Sequence, residues 1–218
     1  MIVSLHLAAS GVPVFNSSAI QWYHTGVQGL DYETLLVFVG AIDDERPNIS
    51  GGDYAGQPLQ LISQTVGAGG DSFPYGFIFG LYEPTALSGT ITVNFDAPVG
   101  TSNGYSVCLQ GVTGTLIHGL GGLATNPQQN DDFLISQPFT VTHSGALFDL
   151  CVTQCSNHTT HLPGVFQTKI ADVPMLGSKF SVSYRPVNSG TELVTMRRTD
   201  CGGPFAAASM TLAQIEGL

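Results

Sequence analysis

Four successive stretches between Leu35 and Phe95 carry the periodicity of β-strands, and they leave this chain little freedom in what it can fold into. They are Leu35 to Ile42, Tyr54 to Ile62, Gly76 to Tyr82 and Thr90 to Phe95. The last of them, Thr90-Ile91-Thr92-Val93-Asn94-Phe95, alternates polar and apolar residues without an error. One of its faces should therefore meet water while the other packs on a second sheet. The expected fold is all-β: an antiparallel β-sandwich, jelly-roll-like, with residues 1–218 forming a single domain, since sandwiches of this length routinely share one core.

Strands are expected near 2–8, 19–25, 34–42, 57–64, 73–82, 89–95, 104–112, 132–142, 146–154, 165–171, 178–185, 191–198 and 205–215. Ala206 to Ile215 contains helix-friendly residues, but it follows Gly202-Gly203-Pro204 and reads as a closing strand. Turn signals stand at Asn48 to Gly52, Gly67 to Gly70, Gly100 to Gly104, Gly119 to Gly122 and Asn188-Ser189-Gly190. Gly119 to Gln129 is the longest irregular stretch, and such loops often carry contacts with partners.

Charged residues make up only 10% of the chain, where a soluble domain carries about 25%. The surface must then be uncharged and polar, or partly buried against neighbours. Arg46 is the only Lys or Arg before Lys169, and the net charge is -10. Nucleic acid is excluded as a partner on this ground, because phosphate binding needs a clustered basic surface. The late basic residues Lys169, Lys179, Arg185, Arg197 and Arg198 either solubilise two adjacent strands or form a docking patch for an acidic neighbour. No run approaches the roughly 18 apolar residues that span a bilayer, so no membrane is expected. Met1 to Ala9 is apolar and short, lacks the positive start of a secretory signal, and is read as a first strand.

Several patterns imitate chemistry. Gly100-Thr101-Ser102-Asn103-Gly104 has the letters of a hydrolase nucleophile elbow, but Tyr105 to Gly111 reads as a strand where the elbow needs a helix, so a hairpin turn is expected. Gly119-Leu120-Gly121-Gly122-Leu123-Ala124 resembles a dinucleotide fingerprint, yet Pro127 prevents the helix that would hold a pyrophosphate. Cys155, His158 and His161, with Cys151 before them and His143 nearby, form the densest set of metal-type ligands. Sulfur and imidazole suit zinc, but the spacing matches no common zinc unit, and the expectation is a surface loop with no metal and no cofactor. Asp43, Asp44, Glu45 and Asp53 could offer oxygens to calcium, and a solvated loop is expected instead.

Cys108 and Cys151 lie inside strand phrases and should be buried thiols. Cys155 and Cys201 follow strands, and a disulfide between them is open. Trp22, Tyr23, Tyr32, Phe73, Tyr75 and Tyr82 are the rings a sugar-binding face would need, although core packing is the commoner use of aromatics in strands. Asn16, Asn48 and Asn157 head Asn-x-Ser/Thr triplets, which matter only in a eukaryotic secretory route.

His24-Thr25, Leu35-Leu36-Val37, Tyr54-Ala55-Gly56-Gln57-Pro58-Leu59, Phe77 to Pro84 and Gly89 to Phe95 together resemble a sandwich domain that recurs in bacteriophage structural proteins and bacterial surface proteins. The likeness continues more loosely through Val107 to Val112, the strand around Asp149 and Val194 to Ile215. Two departures stand out: Glu33-Thr34 replaces the usual basic residue before the Leu-Leu-Val strand, and the Cys/His segment after Val152 is particular to this chain. The resemblance implies a non-enzymatic assembly or adhesion module. The sequence expectation is thus a virion protein of a bacteriophage, a decoration, cement, spike or tail component that is a homo-oligomer and binds other virion proteins multivalently. The alternative from another class is a glycan-binding or adhesive module, which would expose Trp22, Tyr75 or Tyr82. A hydrolase would need Ser102 beside a histidine and an acid.

Overall fold

A computed structural model of the chain describes residues 4–27, 33–45, 47–65, 73–125, 133–141, 144–154, 160–188, 190–199 and 208–217. Every regular element among them is a strand. The first eight are β1 (Ser4–Ser10), β2 (Val14–Thr25), β3 (Glu33–Asp43), β4 (Ile49–Tyr54), β5 (Gln57–Pro58), β6 (Gln60–Gln64), β7 (Phe73–Tyr82) and β8 (Ser88–Gln110). The rest are β9 (Val112–Thr125), β10 (Phe133–Val141), β11 (Gly145–Gln154), β12 (Thr160–Pro163), β13 (Thr168–Met175), β14 (Ser178–Val187), β15 (Gly190–Thr199) and β16 (Ala208–Gly217). The all-β, antiparallel expectation holds, and the strands form three sheets.

The spine of the first sheet is β8, a single strand of 23 residues. Its first half lies between β2 and β4, with Trp22 and Tyr54 both opposite Ile91. Its second half lies between β1 and β3, with Ser10 and Phe38 both opposite Tyr105. β7 and β6 continue the sheet beyond β3, and the whole curls nearly into a barrel. Gly100 to Gly104 is therefore extended strand and not the expected hairpin turn. Its glycines serve close approach: a Cβ on Gly104 would lie 2.3 Å from the ring atoms of Trp22.

Leu35 to Ile42 is a continuous apolar run because both faces of β3 are covered. Leu35, Val37, Val39 and Ala41 point inward to meet Phe77, Phe79, Ile91 and Trp22. Leu36 and Phe38 point the other way, against Phe148, Leu150, Phe180 and Val182 of the second sheet. That sheet is ordered β13-β14-β11-β16-β9. The two sheets come close where Gly40 and Gly76 sit directly opposite each other on β3 and β7. A Cβ there would lie 2.6 Å from the Phe180 ring and 2.5 Å from Thr211 Oγ1 respectively. Thr90 to Phe95 keeps its expected alternation, with Ile91, Val93 and Phe95 buried and Thr90 exposed.

The third sheet is ordered β10-β15-β12. Several local expectations give way to pairing. Ile49 to Gly52 belongs to β4, not to a turn, and Gly119 to Thr125 is paired to β16 as part of β9, so the expected irregular stretch is strand as far as Thr125. Asn126 to Gln129 lie outside the described residues. β13 starts at Thr168, three residues later than expected, because Val165 and Phe166 form a turn after β12.

Candidate functional site

Inside the curled sheet, parity along β2, β3 and β8 brings together polar side chains from distant positions. The Trp22 indole donates to Ser106 Oγ at 3.0 Å, and Ser106 Oγ lies 2.8 Å from His24 Nδ1. His24 Nε2 lies 3.3 Å from Cys108 Sγ, and Cys108 shares a side-chain hydrogen bond with Glu33. One proton assignment satisfies the whole series: Ser106 donates to Nδ1, Nε2–H donates to sulfur, and the thiol donates to the carboxylate. The parts are those of a cysteine nucleophile with its base, but the surroundings act against reactivity. Burial, reinforced by Glu33, pushes the Cys108 thiol up to about 12, and burial lowers the pKa of His24. His24 and Cys108 are fully enclosed, so the network fastens strands and does not face a substrate.

Ser102 is equally enclosed, and its Oγ has no hydrogen-bond partner. It lies on β8 between Val14 and Ala41, and no base among the described residues hydrogen-bonds to it.

A second buried polar layer lies on the outer face of the second sheet. His161 on β12 reaches across to it: Nε2 is 2.8 Å from Thr153 Oγ1, and Nδ1 is 2.6 Å from Ser181 Oγ. Both ring nitrogens of this sequence-predicted ligand are thus occupied by hydroxyls. Cys155 and His158, and with them the Cys155–Cys201 pairing, lie outside the described residues, as does His143. Beside His161, Asp149 Oδ2 accepts from Ser183 Oγ at 2.6 Å and from Gln167 Nε2 at 2.7 Å. Asp149 Oδ1 has no hydrogen-bond partner. Burial pushes the Asp149 carboxyl up to about 7, against the opposing pull of Ser183, Gln167 and Arg185.

Gln167 connects this layer to the surface. Its Oε1 accepts from Gly164 N at 3.1 Å, while Gln167 N donates to Gly164 O at 3.0 Å. The turn so closed displays Val165 and Phe166, which are 76% and 85% exposed. Phe166 has a φ of 67°, a left-handed conformation that a bulky side chain holds only when its surroundings enforce it. A strained aromatic held out to solvent does nothing for the core.

The opposite end of β13 presents a hollow instead. A cleft of 220 Å³ is lined by Phe15, Ile42, Asp43, Asp44, Thr101 and Leu176. Phe15 and Leu176 are 70% and 55% exposed. An adjoining cleft of 390 Å³ shares Asp43 and Asp44 and adds Glu45, Asn48 and Asp96. The sequence picked out three of these acids, but Asp53 lies elsewhere, its carboxylate accepting from Gly56 N in a turn. Asp96 had no signal of its own and arrives because Asp96 N donates to Asn48 O beside β4.

Of the rings considered for sugar stacking, Trp22, Phe73 and Tyr75 are buried and Tyr82 is half-buried. Tyr23 is exposed, with its hydroxyl on Ser88 Oγ, and Tyr32 lies outside the described residues. Of the late basic residues, Arg185 is buried near Asp149, while Lys169 and Lys179 stand 2.6 and 3.9 Å from Asp172. Register places Arg197 and Arg198 opposite Leu162 and His161. The chain matches no protein-family model, and no curated protein matches its sequence.

Proposed function

We propose that this chain is a non-enzymatic structural protein of a bacteriophage virion, a jelly-roll-like sandwich elaborated by a third sheet, that works by multivalent protein–protein binding on a capsid or tail. The observation that carries the reading is the Val165–Phe166 turn. An exposed aromatic in a strained backbone conformation, clamped from beneath by Gln167 and Asp149, is a preorganised contact and has no packing purpose in the monomer. Low charge and the apolar cleft at Phe15 and Leu176 support the same reading, since interface cores are depleted in charge.

The enclosed His24–Cys108–Glu33 series supports a scaffold role for the residues that most resemble a catalytic group. A glycan-binding module is the competing reading, and Tyr23 is its exposed ring. The test is a titration of purified chain onto phage particles that lack it. Saturation at a fixed copy number per particle is expected; a chain that ignores particles but binds a glycan array through Tyr23 would overturn the proposal.

A further inference from the structure

We infer that residues 160–167 form a strap laid over the second sheet, that a polar clasp fastens it and opens ahead of global unfolding, and that a proton on Asp149 keeps the clasp closed. The polarity of the strap is inverted for a covering segment: His161 is fully buried and Gln167 half-buried, whereas Leu162, Val165 and Phe166 are exposed. Hydrogen bonds therefore hold it from beneath, from His161 to Thr153 and Ser181 and from Gln167 to Asp149 and Ser183. Lys169 Nζ adds a bond to His161 O at 3.2 Å. The ladder from β12 to β15 is four residues long, too short to keep β12 ordered by itself. Water can replace polar partners when a segment lifts, and no large apolar side chain of the strap has to leave a core. Opening it costs less than opening β3 or β7, which are buried along nearly their whole length.

Asp149 sits at the base of the clasp. Its Oδ2 takes both donors and its Oδ1 has no hydrogen-bond partner, so a charge on this enclosed carboxyl is poorly solvated while the strap is down. On the same face stand Arg185 and Lys179 of β14, Cys151 of β11, Lys169 and Asp172 of β13 and Glu216 of β16, with His161 above them on β12. Register sets His118 of β9 opposite Gln214 and Arg198 of β15 opposite His161. The pull of Arg185 opposes burial without overcoming it, and the carboxyl is held at about 7. Lifting the strap returns it to water and to its ordinary 3.8. Below 3.8 both forms hold the proton; between the two values opening releases it and is increasingly favoured as pH rises; above about 7 both are ionised and the effect is complete. Gln167 also closes the Val165–Phe166 turn, so the same proton governs how firmly that turn is held, whatever it binds.

Native-state hydrogen exchange on the intact chain, corrected for the intrinsic rate, tests this with wild type, Asp149→Asn and Gln167→Leu. In wild type the strap amides should be less protected than those of β3 and β7 at every pH, and less sensitive to low urea, because a local opening exposes little surface. Their protection should fall by at least roughly tenfold between pH 5 and pH 7. Asp149→Asn should keep the local opening and lose the pH step. Gln167→Leu, which can neither donate nor accept, should strip protection from the strap already at pH 5 and change β3 and β7 far less. Strap amides that match β3 and β7 in protection and urea dependence would overturn the local opening. A wild-type strap without the pH step, or a step that survives in Asp149→Asn, would overturn the role of the proton, and a strap indifferent to Gln167→Leu would overturn the clasp.

Discussion

Cys108 shows how far an environment can mute a reactive residue. It has a histidine at hydrogen-bond distance and a carboxylate beyond, yet its thiol is held at about 12 and fully covered. Cys108 and Cys151 should stay unmodified when the native protein is treated with iodoacetamide at neutral pH, and react only after denaturation; labelling of Cys108 in the native state, read by peptide mapping, would contradict the closed network. Asp149 gives a prediction with a sign. Its carboxyl titrates near 3.8 when unfolded and about 7 when folded, so between those values the folded chain holds a proton that the unfolded chain has released. Stability falls as pH rises through that window. Asp149→Asn keeps an oxygen to accept from Ser183 and Gln167, so the variant should gain stability relative to wild type between roughly pH 4 and roughly pH 8 in urea titrations. An unchanged difference would show that Asp149 does not resist ionisation. The sequence placed Cys108 and Cys151 in the core by strand pattern alone. It gave no sign of Glu33 or Asp149 as buried acids, because each is recruited by partners far away in the chain.

At the scale of elements, alternation and apolar runs located most strands, and β7 begins and ends where the pattern does. The errors share a cause. Glycine reads as a breaker at Gly100 to Gly104 and Gly119 to Gly122, while in the fold these segments are strand interiors. In β8 the reason is contact: the backbone must pass under Trp22. Sequence periodicity reports what a strand does with its own side chains and is silent on what another element lays across its backbone. The Gly40–Gly76 pair is the same device between sheets. Gly40→Ala should cost about 2 kcal/mol by pushing on Phe180, and Phe180→Leu in the same molecule should recover part of it, so that the double variant costs less than the sum. Strict additivity in chemical denaturation would mean that the two sheets do not meet there.

For the whole molecule, the scarcity of charge fits three sheets that cover one another: the inner core, the layer between the first and second sheets, and the polar layer where His161 meets Thr153 and Ser181. The all-β, antiparallel class was legible because it rests on periodicity. The surface was not, since Phe166, Phe15, Leu176 and Asp96 carry no common motif and acquire meaning only from where the strands bring them. A residue kept for binding at the expense of backbone comfort should betray itself thermodynamically: Phe166→Asn should raise the stability of the isolated chain by about 1 kcal/mol, measured by denaturant unfolding. The most direct test of the account is the copy number of wild type and Phe166→Asn on particles lacking the native chain, measured side by side at saturation. Fixed, saturable occupancy by wild type and its loss in the equally folded variant are the predicted results, and full occupancy by Phe166→Asn would contradict the central role given to that turn.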